Sequence, residues 1–350
     1  MRALTVRPGQ PSTAEVTELP DPVPAAGELL IEGVALGICG TDKEILSGKY
    51  GSAPPGRDRL VLGHESLGRV HSAPPASGFA PGDLVVGVVR RPDPVPCPAC
   101  GVGEFDMCRN GQYTERGIKE RDGYGAALWT VDVPYALRLD AALADVGMLI
   151  EPTSVVAKAW EQVQRVGQRS VFQPQRALIT GAGPIGLLAA LLGVQRGLEV
   201  HVVDVVTDGP KPAAVVALGA TYHHDQVADV VKRLRPDVII EATGVGQVAF
   251  DVISHMAPYG IACLTGVSSG GHRINLDAGV INREIVLDNN VVIGSVNANL
   301  RHYAAAAQAL ASADLDWLRA LITRRVPLAR FDEALTVQPG DIKTVLTLNG

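Results

Sequence analysis

The chain has 350 residues, of which 47% are hydrophobic and 19% charged, and a net charge of −6. That length gives room for about two domains and a large core, and an acidic balance with no basic run argues against nucleic acid or an anionic membrane as partner. No apolar stretch of about 18 residues is free of charges and turn signals, so no transmembrane helix is expected. The opening Met1-Arg-Ala-Leu-Thr-Val-Arg-Pro-Gly offers no secretory apolar region, so the expected location is cytoplasmic.

In chain order, residues 1 to about 150 are rich in Gly and Pro. Short β-like runs stand out at Glu28-Leu-Leu-Ile-Glu-Gly-Val-Ala35 and Asp83-Leu-Val-Val-Gly-Val-Val89, with loops at Pro20 to Pro24 and Pro92 to Pro98. Short strands broken by turns predict an irregular all-β domain. From 147 to 167 the spacing becomes helical, with Val155, Val156, Ala159 and Val163 apolar between polar neighbours. Strand-like runs then recur at 238–244, 261–266 and 291–296 with helical stretches between them, as βαβ winding requires. The last fifty residues return to a helix and short strands and are expected to pack on the N-terminal domain.

The stretch from Leu178 to Asp204 reads as strand, glycine turn, helix, strand. The apolar pair Leu178-Ile179 precedes Gly181-x-Gly183-x-x-Gly186, and the following strand ends on Asp204, 21 residues beyond Gly183. This spacing is the fingerprint of a dinucleotide-binding crossover. Gly181 permits the sharp turn, Gly183 lets backbone N–H groups approach a pyrophosphate, and Gly186 lets helix and strand pack closely. Pro184, Ile185 and Thr243 join these glycines as cofactor-binding candidates. A carboxylate at Asp204 suits the adenosine ribose hydroxyls and repels a 2′-phosphate, which favours NAD; Lys211, not far along the chain, leaves NADP open.

Five cysteines are an odd set for a disulfide framework, and Cys97, Cys100 and Cys108 fall within twelve residues, a density that suggests metal. Cys263, in an apolar run, reads as core. A second constellation combines Gly37-Ile-Cys39-Gly-Thr41-Asp42, Leu62-Gly63-His64-Glu65 and Ile150-Glu151-Pro152. Taken singly, Cys39 is a small hydrophobe, His64 a loop histidine and Glu151 a helix-initial acid. Together they offer thiolate, imidazole and carboxylate, and three such ligands leave a catalytic zinc one open position.

Cys-x-Thr-Asp, then Gly-His-Glu, then GxGxxG resembles the zinc-dependent medium-chain dehydrogenase/reductase family along the whole chain. Within that family the chain is similar to archaeal-type glucose 1-dehydrogenases, through residues 37–45, 60–65, Glu-Arg-Gly-Ile (115–118), Arg-Asp-Gly-Tyr (121–124), 150–159, Gly-Ser-Val-Asn297 and Asp-Ile-Lys343. The resemblance implies an α/β chain: a GroES-like irregular β catalytic domain (1–152, completed by 297–350) and a doubly wound Rossmann domain (153–296). It implies catalytic zinc on Cys39, His64 and Glu151, with Glu65 a fourth or exchanging ligand, and Thr41 as proton relay. Glu65, Glu115 and Asn297 would hold sugar hydroxyls, with Thr41 and Glu151 also facing the substrate and Asn297 also the cofactor. Asp42 would orient His64. The family's structural-zinc lobe has four cysteines; here Pro94 replaces one, leaving Asp93 or water as fourth ligand of a structural zinc, or a metal-free loop. Val155 stands where some members present an acid to the sugar.

The implied reaction is oxidation of an aldose, D-glucose first, at C1 with NAD. The alternatives are another polyol, cyclitol or secondary alcohol as substrate, or a non-enzymatic NAD-sensing protein. A homodimer or homotetramer is implied as well, with the edge strand near Val291–Val296 as a contact.

Overall fold

A computed structural model describes residues 1–268, 270 and 273–349. The chain forms two compact units: Met1–Glu151 with Ala298–Gly350, and Pro152–Asn297. The first crossing between them lies inside the helix Ile150–Gly167.

The first unit is built on the long strand Glu28–Ile38. Its burial alternates at first and then becomes continuous as the strand enters the core. Glu65–Ser72 and Leu128–Asp132 pair with it antiparallel, and so does Lys343–Thr347 from the far end of the chain. This C-terminal strand carries Ile322–Pro327 beside it in parallel. On the other flank Leu84–Gly87 and Ala136–Arg138 extend the sheet. Leu29, Ile31, Leu36, Trp129, Val131 and Leu346 form part of a single apolar core.

Glycine is required where the sheet meets the site. Gly37 lies opposite Glu65, and a Cβ there would fall 1.9 Å from Glu65 Oε2, so the carboxylate occupies the space a side chain would fill. Gly63, just before His64, has φ +97°, and Leu36 packs where its Cβ would project.

The second unit holds six parallel strands in the spatial order Thr221–His223, Glu199–Val203, Arg176–Thr180, Val238–Glu241, Ile261–Leu264 and Val291–Gly294. The order reverses at Arg176–Thr180, the switch point of a doubly wound sheet, where ligands bind beyond the carboxyl ends of the strands. The helix Pro184–Gln195 starts there, with Gly183 as its cap and Pro184 in its first turn. A Cβ on Gly186 would lie 1.7 Å from the Gly181 carbonyl oxygen, which accounts for the third glycine of the motif. Among the described residues no helix is long and apolar enough to cross a membrane.

Candidate functional site

Cys39 follows the long strand and caps the short helix Gly40–Leu46: its sulfur accepts from Thr41 N at 3.2 Å, while Asp42 Oδ2 accepts from Cys39 N at 3.0 Å. This capping box fixes the directions of both side chains. His64 leaves the Gly63 turn so that its Nε2 lies 3.1 Å from Cys39 Sγ, and Asp42 Oδ1 stands 3.5 Å from its Nδ1. Glu65 begins the next strand, and donor atoms of Cys39, His64 and Glu65 lie within 4.8 Å of one another.

The chain here concentrates negative charge. Burial disfavours the His64 imidazolium, yet the Cys39 sulfur and the Asp42 carboxylate outweigh it and hold the ring's pKa well above its ordinary value. Glu151, in the first turn of Ile150–Gly167, has its carboxyl pushed up to about 7 by burial and by Glu65, against the pull of His64. A sulfur, an imidazole and carboxylates crowded to this degree suit a divalent cation, which would neutralise them and leave a position for substrate. The residues therefore fit zinc.

Lys343 was visible in the sequence only as part of a similar stretch, and the structure gives it a central place. Its Nζ donates to Ile38 O at 3.0 Å and forms an ion pair with Glu65, both side chains being at most 2% exposed. Burial opposes the ammonium, but Glu65, Cys39 and Glu151 more than compensate and raise its pKa. The available signal was a lysine inside the strand-like run Lys343-Thr-Val-Leu-Thr347.

Glu115 is buried on the strand Thr114–Arg116, and its Oε1 accepts from Arg90 Nε at 3.0 Å and Nη2 at 2.9 Å. Arg90 in turn stacks 3.7 Å over the Tyr113 ring, so a lysine at position 90 would not reproduce this hold. The Arg90 pairing lay outside the sequence reading.

The sulfurs of Cys97, Cys100 and Cys108 also lie within 4.8 Å of one another. The Arg109 N–H leads in lowering Cys97 to about 6, while burial raises Cys100 to about 11. The Asp93 carboxylate is not gathered with them: it accepts from Val95 N at 2.9 Å and from the Asn110 amide. The Asn110 side-chain oxygen sits 3.0 Å from Cys108 Sγ, between the acid and the thiols.

In the second unit, Gly181 has φ +87°, and Asp204 follows the second strand of the crossover. Asp204 Oδ2 accepts from Ala182 N at 2.6 Å within the glycine turn and stands 3.8 Å from Lys211 Nζ. A crevice of about 690 Å³ runs along Gly181, Gly183, Asp204, Asp225, Thr243 and Asp251. Open space around Gly183 and the uncapped start of Pro184–Gln195 form a cradle for a pyrophosphate. Thr243 is fixed by Glu241, a fully buried carboxylate that takes the Thr243 N–H at 2.7 Å and its hydroxyl. Asn297 closes this unit with φ 62°.

Such a fold and donor set are those of a zinc-dependent medium-chain dehydrogenase. A model described as "Alcohol dehydrogenase GroES-like domain" matches residues 25–140, and one described as "Glucose dehydrogenase C-terminus" matches residues 144–348. The chain is 39% identical to glucose 1-dehydrogenase 1 of Caldivirga maquilingensis, over 100% of this chain and 99% of that one. It is 36% identical to the glucose 1-dehydrogenase of Methanocella arvoryzae, over 99% of both. The glucose dehydrogenase of Haloferax mediterranei, solved in complex with NADP, Zn and gluconolactone, superposes with a TM-score of 0.92 at 33% identity over the whole of both chains. The chain belongs to the glucose dehydrogenase family.

Replacing Lys343 with Met leaves Glu65 buried without its counter-charge, and the free energy of unfolding should fall by about 3–5 kcal/mol. Adding Glu65→Gln should recover part of that loss. Chemical denaturation measures both, and a loss below about 1 kcal/mol in the single variant would show that the pair does not restrain the site.

Proposed function

We propose that this chain oxidises an aldose, D-glucose first, at C1 to the lactone with hydride transfer to NAD. The observation that carries the reading is the cluster of Cys39, His64 and Glu65 ligand atoms within 4.8 Å, the last two buried, in a chain of this family. Cys39, His64 and Glu151 would hold the zinc, with Glu65 restrained by Lys343 at its edge. Bound there, zinc would supply a Lewis acid that lowers the pKa of the C1 hydroxyl, and a nicotinamide cofactor held along the Gly181–Asp204 crevice would supply the hydride acceptor.

The chain's own residues do the rest. Asp42 orients the His64 ring through its Nδ1 side. Thr41, beside Cys39, carries a hydroxyl suited to pass the substrate proton outward while the C1 hydrogen leaves as hydride. Glu115, held by Arg90, and Asn297 offer a carboxylate and an amide for sugar hydroxyls. The preference for NAD rests on Asp204 together with Asp225 and Asp251, three acids along the crevice, which disfavour a 2′-phosphate. The Haloferax relative was solved with NADP, so the two chains would differ at this end of the cofactor.

Cys39→Ala should lose its bound zinc, and with it nearly all turnover, while keeping its fold. Metal analysis alongside circular dichroism and an aldose assay tests this, and a zinc-free, active variant would end the reading. For assembly we propose a homodimer or homotetramer joined near the edge strand Val291–Gly294. The neighbouring helix Ala278–Leu287 has no buried residue and leaves Val286 and Leu287 more than 60% exposed. Light scattering should give a multiple of 36.7 kDa, and a monomer mass would remove the proposal.

A further inference from the structure

We propose that Lys158 is a positioning residue for the nicotinamide half of the cofactor, an inference that rests on the dehydrogenase reading above. Lys158 lies on the helix Ile150–Gly167, seven residues after Glu151 and three after Val155, so the three share one face of the helix. Its side chain is 1% exposed, an unusual place for a lysine unless its nitrogen has specific work. Nζ donates to the Val296 carbonyl at 2.9 Å. It also lies close enough to Cys263, on the strand Ile261–Leu264, to act against the burial that raises that thiol to about 12.

Val296 belongs to the segment Ser295–Asn297, which leaves the carboxyl end of the sixth strand. Ser295 N is tied to Leu264 O at 2.9 Å, and Asn297 follows with φ 62°. A left-handed conformation in a residue other than glycine is strained and persists only where its surroundings hold it. Lys158 anchors the residue just before it. Asp204 assigns the adenosine ribose to the half of the sheet that contains Glu199–Val203, so the other mononucleotide-binding half, Val238–Gly294, receives the nicotinamide. The Ser295–Asn297 segment borders that half, and Lys158 therefore sets the backbone against which the nicotinamide is seated.

The test compares two probes on one variant. ADP-ribose occupies only the adenosine side, whereas NADH occupies both. In Lys158→Met, with zinc content unchanged, the Kd for NADH should rise about tenfold while that for ADP-ribose stays within about twofold. Both constants unchanged, or both raised equally, would overturn the proposal, since a purely structural lysine would not separate them. If Lys158→Met does not fold, Lys158→Gln is read by the same comparison, because its shorter amide does not reach the Val296 carbonyl. A wild-type chain that binds NADH but turns over no aldose would count against the substrate reading and leave this comparison standing.

Discussion

The ion pair between Glu65 and Lys343 joins side chains 278 residues apart in sequence, inside a core that excludes water from both. A buried pair of this kind contributes little net stability over an apolar pair, yet breaking it is costly because it strands a charge. Its consequence is geometric. Glu65 is drawn toward Lys343 and Ile38 O, Gly37 vacates the space its carboxylate fills, and the strand Lys343–Thr347 is locked in register against Glu28–Ile38. The arrangement of Cys39, His64 and Glu65 depends on that register, because Cys39 directly follows the last residue of the same long strand.

The fold was legible wherever local chemistry and tertiary packing agree. The glycine turn, the apolar strands of the parallel sheet and the helix beginning near Glu151 follow from period and turn residues alone. Cys39, His64, Glu65 and Glu151 were legible as candidate zinc ligands because thiolate, imidazole and carboxylate at family spacing have few other readings, and the structure gathers the first three of them. Lys343 and Arg90 were not, because a basic residue in a sequence signals nothing about the buried acid it will meet. Only the paired strands bring Lys343 to Glu65 and Arg90 to Glu115. Asp93 shows the opposite limit. It stands four residues before Cys97 in sequence, and its carboxylate accepts from the Val95 N–H and the Asn110 amide, contacts that sequence proximity does not disclose.

The two units divide the chemistry between them. One gathers sulfur, nitrogen and carboxylate in a small volume and holds them with buried counter-charge. The other leaves glycine backbone open at a helix start and places acids along the crevice beyond it. In the first, Asp42 and Lys343 hold Cys39, His64 and Glu65 in place; in the second, Glu241 holds Thr243. Side chains that would be poor choices for an ordinary core appear where a site must be rigid.

Dependence of aldose oxidation on zinc and a nicotinamide is measured by initial rates of NAD and NADP reduction across a panel of aldoses, polyols and cyclitols, with and without prior zinc chelation. The enzyme should reduce NAD rapidly with glucose or a close epimer and NADP more slowly, and lose both activities on chelation. Silence on every aldose with zinc still bound, or sugar turnover indifferent to chelation, would contradict this reading.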